Sequence, residues 1–224
     1  MSGHTGAEPT PPCSRAGERV WHAACDLFYR EGIRSVGVAE IAERSGVAKP
    51  NLYRNFVSKD GLAVAYLAAH GDAEQALFDR AEATHPDDPV AQLRHVVDAL
   101  ATAVTTAGYR GCPLTNAAAE FPDPDHPVRR EIAVQQQRIL DRLTVIMTRT
   151  AAPDPGRLAR TVQLVLAGAS VSAQVLDAAA TAEALGDAIN QLVATATGDS
   201  PVSPQAQSPA SAPEASFSSS VHSL

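Results

Sequence analysis

Apolar residues recur every three or four positions along most of the chain, as at Val20, Ala24, Leu27 and Phe28, the spacing of a helix with one buried face. The alternating apolar and polar positions of a strand bounded by turn residues do not occur. The pattern predicts an all-α protein. A first helix covers Arg15–Glu31 and ends at Gly32. Two short helices, Val38–Ser45 and Lys49–Asn55, flank Gly46-Val47, and Ser58 caps a longer helix running toward Ala83. Asp88-Pro89 and Asp154-Pro155 each set a capping carboxylate before a proline suited to a first helical turn, predicting helices over Pro89–Ala107 and Pro155–Ala180. The run from Pro122 to Pro127 separates a short helix over Pro113–Phe121 from a long one over Val128–Thr150. A last helix, Ala182–Thr197, follows Thr181. There is no internal repeat.

This pattern divides the chain into a disordered arm (1–13), a helix-turn-helix head (14–60), a helical body (61–197) and a disordered tail (198–224) rich in Ser, Pro, Ala and Gln. Hydrophobic residues make up 45% of the chain, enough for a packed core. Met1–Ser14 is polar and proline-rich, without the apolar stretch of a secretory signal. Thr161–Leu176 is too short and too rich in Gln and Ser to cross a membrane. Three cysteines without such a signal fit a reducing compartment, so the cytoplasm is the expected location. The net charge of −7 argues against a nucleic-acid partner only until it is resolved along the chain. Arg15 to Tyr66 holds eight basic against six acidic residues, whereas Leu67 to Leu224 holds ten against eighteen. A mildly basic head on an acidic body is what results when the head alone meets phosphate.

The head carries the sharpest chemistry. Ala42 is small where two helices would cross, Gly46 suits a turn of positive φ, and Ile41, Val47, Leu52 and Phe56 form an inward face. Lys49, Asn51, Tyr53, Arg54 and Asn55 are then left outward on the second helix, a donor-rich surface for a major groove. A plain helix pair with a solvated face has the same spacing. Two features favour DNA: Tyr53 is a large aromatic on a polar face, and Ser58-Lys59 opens the next helix where free N–H groups and an ammonium suit a phosphate.

The segment from Phe28 to Leu62, which includes Val38-Ala-Glu-Ile-Ala-Glu-Arg-Ser-Gly46 and Leu52-Tyr-Arg-Asn-Phe56, resembles the N-terminal domain of TetR-family repressors, a likeness extending from about Arg15 to Leu67. The resemblance implies a homodimer with a three-helix head that binds double-stranded operator DNA and a larger helical body that senses a small-molecule inducer. Ligand binding in such proteins moves the two heads apart and frees the operator. The resemblance also places Lys49, Asn51, Tyr53 and Asn55 on the recognition helix, and Tyr53 and Lys59 at phosphates. Val38 and Ala48 stand where the family often has Thr or Ser, and Asn55 replaces a more usual aromatic or histidine, so base preference does not carry over.

In the body, the stretch Tyr109 to Pro127 looks like a segment that borders the ligand cavity in a subset of TetR-like proteins. Gly111-Cys112-Pro113 reads as a helix entry. Asn116 either ties down neighbouring loop backbone or faces the ligand together with Cys112, with Arg110 or His95 nearby. Cys112 reads as a buried spectator thiol, with a thiol-based redox role as the alternative. Leu164, Val165, Gly168, Ser172 and Val175 on one helix, with Leu185, Ile189 and Leu192 on the next, suit a four-helix dimer seam across a two-fold axis. His126 among Asp123 and Asp125 reads as a capping turn. No metal-ligand spacing, cofactor motif, nucleophile–base pair or phosphate loop is present, so an enzyme, a metal site and a cofactor are not expected. A constitutive DNA-binding dimer is the alternative to a ligand-released one.

Overall fold

The computed structural model describes residues 14–198, without the side chains of Asn51, Leu52 and Asn55. The arm and tail expected at the two ends lie outside the described residues. Those described form helices joined by turns, with no strand among them. The first three helices are α1 (Arg15–Glu31), α2 (Val38–Ser45) and α3 (Lys49–Asn55). They are followed by α4 (Lys59–Thr84), α5 (Pro89–Thr105), α6 (Pro113–Glu120), α7 (Pro127–Thr148), α8 (Pro155–Ser172) and α9 (Ala178–Thr197).

Most helices start where a short polar side chain can accept an N–H of the first turn. Ser14 Oγ accepts from Gly17 N at 3.1 Å, Ser58 Oγ from Gly61 N at 3.0 Å and Asp88 Oδ1 from Ala91 N at 2.9 Å. Asp154 Oδ1 accepts from Arg157 N at 3.0 Å. His126 caps α7, its Nδ1 accepting from Val128 N at 3.2 Å, in agreement with the capping turn read from the sequence. At α2 the cap is Gly37, which has no side chain, and its N–H instead donates to Glu40 Oε2 at 3.3 Å.

Most ends fall within two residues of expectation, and the large departure is between the last two helices. The helix predicted to run to Ala180 stops at Ser172, and α9 begins at Ala178 instead of Ala182. Asp177 is the reason: its Oδ1 accepts from Ala180 N at 2.8 Å, capping a new helix in the middle of a sequence whose alanines favour continuation. Thr181, expected to precede the last helix, lies inside it.

Two buried clusters organise the fold. The first joins Val20, Trp21, Phe28 and Ile41 of the head to Leu62 and Tyr66 of α4, then continues to Leu114 of α6 and to Val128 and Ile132 of α7. The second fills the far end of the body with Phe78, Leu93, Leu143, Met147, Val162, Leu185 and Ile189. Close approach of α4 and α7 depends on Gly71, where a Cβ would lie 2.0 Å from Gln135 Oε1. The head core therefore rests directly on the body, through α4 and α6.

Candidate DNA interface and ligand cavity

Gly46 ends α2 in the left-handed region, at φ 64° and ψ 27°, and Val47 N returns to Ala42 O at 3.1 Å. Ile41 and Val47 are buried beneath this turn, as the sequence pattern requires. Asp26 joins the helices of the head, accepting from Arg30 Nε at 2.6 Å and from Arg44 at 3.0 Å. Phe56, half-buried, stacks on Trp21 with ring centroids 6.2 Å apart and so fixes the exit of α3 against α1.

The packing leaves Lys49, Tyr53 and Arg54 of α3 pointing to solvent, and the Tyr53 ring is 52% exposed. The side chains of Asn51 and Asn55, and that of Leu52, which the sequence pattern expects to face inward, lie outside what is described. Lys59 opens α4 beside the same surface, and its Nζ donates to Arg34 O at 3.2 Å. That bond uses one of three ammonium donors.

A cavity of about 170 Å³ lies in the body directly above the head. Tyr66, His70, Glu74 and Leu77 enter it from one face of α4, at helical spacing. Val96, Leu100 and Ala103 of α5 line another wall, with Ile139 and Gln136 of α7 and Gln163, Leu166 and Ser170 of α8 opposite. Gln163 Nε2 donates to Gln136 Oε1 at 2.9 Å, so this polar pair is already satisfied. Cys112, Pro113 and Thr115 close one end with the first turn of α6, and Tyr29 reaches in from α1. Burial holds the Tyr29, Tyr66 and Tyr109 phenols above their ordinary pKa, so all three remain neutral donors or acceptors.

Of the four residues expected at the ligand, the structure brings only Cys112 to the cavity wall. Asn116 is turned to the loop instead, its Nδ2 donating to Arg110 O at 2.6 Å, which is the backbone-tying role. The Arg110 side chain is solvent-exposed, while its backbone N–H donates to the Tyr29 hydroxyl at 2.8 Å. His95 sits beside His85, ring centroids 6.0 Å apart, and takes no part in the lining. Cys112 has a polar neighbour there: its Sγ lies 3.7 Å from His70 Nε2, which is 3.3 Å from Glu74 Oε1. Sequence reading missed His70 and Glu74. Their signal was two polar residues four apart on a face of α4 shared with buried Tyr66 and Leu77.

Cys112 and His70 shift each other's pKa in opposite directions. Burial works against both charged forms and is the largest influence on each. Opposing it, the hydrogen bond and charge of the partner lower the Cys112 pKa and raise that of His70, with Glu74 supporting the imidazolium. Cys25, buried among apolar side chains, is pushed the other way and stays a thiol.

At the far end of α6, Glu120 grips the head. Its carboxylate accepts Ile33 N at 3.2 Å and Arg34 N at 2.6 Å, and Arg34 Nη1 returns a bond to Glu120 O at 3.0 Å. One eight-residue helix, about 12 Å long, thus has its start in the cavity and its end on the turn leading into α2.

The seam residues divide. Leu164 (73% exposed), Val175 (81%) and Gly168 are open, as are Val171 and Leu176 beside them. Ser172 is half-buried. Leu185 and Ile189 are spent on the chain's own second cluster, against which Val165 and Leu192 also pack. Leu185 and Ile189 were expected at a partner and face inward, because α9 turns its apolar stripe toward α5 and α8, whereas Val165 and Leu192 stay half-buried. Among the described residues no helix is long and apolar enough to cross a membrane.

Known proteins share this arrangement. Residues 21–66 match the family described as bacterial regulatory proteins, tetR family, and residues 89–189 match the tetracyclin repressor-like C-terminal domain. The HTH-type transcriptional regulator YjdC of Escherichia coli is 26% identical over 156 residues, 67% of this chain and 79% of that one. An uncharacterized HTH-type transcriptional regulator of Bacillus subtilis, YvkB, is 32% identical over 65 residues, 29% of this chain, which spans only 34% of that protein's length. The crystal structure of a TetR-family regulator from Streptomyces coelicolor superposes with a TM-score of 0.78 at 30% identity, covering 81% of this chain and 96% of the other. With an outward-facing helix-turn-helix head and a helical body that both match, the chain belongs to the TetR family of DNA-binding transcriptional regulators.

Proposed function

We propose that this regulator is a cytoplasmic homodimeric repressor that leaves double-stranded operator DNA when a small molecule fills the cavity of the body. The observation that carries this reading is α6, whose first turn lines the cavity while Glu120 at its end holds the backbone of Ile33 and Arg34. A ligand that displaces Cys112 and Pro113 moves the helix as a rigid piece, and the Glu120 grip transmits that shift to the head. Tyr29 gives a second route, since α1 reaches the cavity wall through it.

Lys49, Tyr53 and Arg54, with Asn51 and Asn55, are assigned to the groove and its phosphates, and Lys59 to a phosphate at the start of α4. Two heads are needed because one short recognition helix reads too few base pairs to be selective. The exposed stripe of Leu164, Gly168, Val171 and Val175 is the surface for pairing across a two-fold axis. Ligand release then requires differential affinity: moving a 1:99 population of released heads to 99:1 takes about 5.5 kcal/mol.

The test uses the full chain and DNA from upstream of its own gene. Gel shift and sedimentation should give a dimer on DNA, released by the small-molecule fraction of a cell extract. DNA binding that the extract leaves unaltered would mean a constitutive dimer, and no binding to any upstream fragment would defeat the reading as a whole.

A further inference from the structure

The cavity holds a nucleophile in a setting that a reversible-binding pocket does not need. Cys112 stands at the N-cap of α6, where the Thr115 backbone N–H favours a thiolate, and its Sγ is 3.7 Å from His70 Nε2. His70 is buried at 2% exposure and held by Glu74 at 3.3 Å. The other titratable groups facing the thiol are Tyr29 from α1, Tyr66 from α4 and Tyr109 from the loop before α6. Burial keeps these phenols protonated, so only His70 and Glu74 bring charge to the site. The remaining walls are mostly apolar. An opening of about 170 Å³ matches the roughly 150 Å³ that encloses a benzene-sized ring.

We propose that Cys112 captures small α,β-unsaturated carbonyl compounds of single-ring size as covalent adducts, and that this adduct is the inducing signal. In the step, the thiolate sulfur forms a bond to the β-carbon, and the π pair of the C=C bond moves to the α-carbon and carbonyl as an enolate. The His70 imidazolium delivers its proton to the α-carbon and is left as neutral imidazole, which regains a proton from solvent. No group leaves and nothing is oxidised or reduced overall. The adduct then occupies the cavity from the N-cap of the very helix that holds the head through Glu120. This inference rests on the proposed ligand-released repressor and names the ligand chemistry.

The experiment treats the full chain with 2-cyclohexen-1-one at pH 7 and follows adduct formation by intact mass, with peptide mapping to separate Cys112 from Cys25 and from Cys13, which lies outside the described residues. The same samples are scored for binding to upstream DNA. One adduct at Cys112, formed in step with loss of DNA binding, is expected, and Cys112→Ser should abolish both. His70→Gln should slow the addition at least about tenfold, because a buried thiol without the imidazolium holds only a few per cent thiolate or less. Should that variant fail to fold, the thiolate ultraviolet absorbance that wild type has and Cys112→Ser lacks at pH 7 gives the same answer, and its absence overturns the proposal. Addition at an unchanged rate in folded His70→Gln, or an adduct that leaves DNA bound, also overturns it. Cyclohexanone has the shape without the electrophilic carbon. Release by cyclohexanone as readily as by the enone would sink the covalent step and leave the repressor reading standing. Untreated protein that binds no DNA would defeat the repressor reading, while the adduct rates still report on Cys112.

Discussion

Gly32 meets two demands at one position. Its φ of 87° and ψ of 153° lie where side chains are strained, and a Cβ there would stand 3.0 Å from Glu120 Oε1. Gly32→Ala should therefore cost about 1–3 kcal/mol of stability in urea unfolding. A cost of a few tenths would mean that the turn relaxes freely. At the DNA surface the residue-scale expectation is electrostatic. Lys49→Ala and Lys59→Ala should each weaken binding to specific and nonspecific DNA alike and reduce the slope of log affinity against log salt by about one. An unchanged slope for Lys59→Ala would leave that ammonium with only its bond to Arg34 O.

For whole elements, ends and attachments matter more than interiors. The break between α8 and α9 hangs on Asp177, so Asp177→Ala should cost about 1 kcal/mol in thermal or urea unfolding. No loss at all would show that packing alone starts α9. The attachment of α6 to the head is testable without any ligand. Glu120→Ala removes the acceptor of two backbone N–H groups, so amide hydrogen exchange at Ile33 and Arg34 should accelerate relative to the rest of the head. Exchange that stays at the wild-type rate would mean the carboxylate is not what orders this turn, and the route from cavity to head would have to run through Tyr29.

On the scale of the whole molecule, the exposed apolar stripe on α8 is the feature the single chain leaves open. Leu164→Glu places a charge on it without touching either buried cluster. The variant should sediment as a monomer, keep its helical circular dichroism and bind upstream DNA far more weakly than the parent. A Leu164→Glu protein that sediments and binds like the parent would move the seam elsewhere. Leu185→Glu, by contrast, should unfold the body, because that side chain belongs to the chain's own core.

The sequence by itself determined what acts over one or two helical turns. Caps such as Ser58, Asp88 and Asp154, the turn at Gly46, the apolar stripes and the charge difference between head and body were all legible, and with them the all-α fold and the DNA-binding head. Its largest slip in helix boundaries, at Asp177, came where a capping side chain competed with strong helix formers and the local signals conflicted. Tertiary structure alone decided the cavity and its wiring. Cys112 meets His70 across 42 positions and Glu120 meets Ile33 across 87, and of the two roles open to Asn116 the loop-tying one is taken. Periodicity shows that a helix has a buried face, but the rotation of each helix against its neighbours sets which residues end in a core, a cavity or a partner surface. That rotation is fixed by all the contacts at once, which is why Leu185 and Ile189 face inward while Leu164 does not.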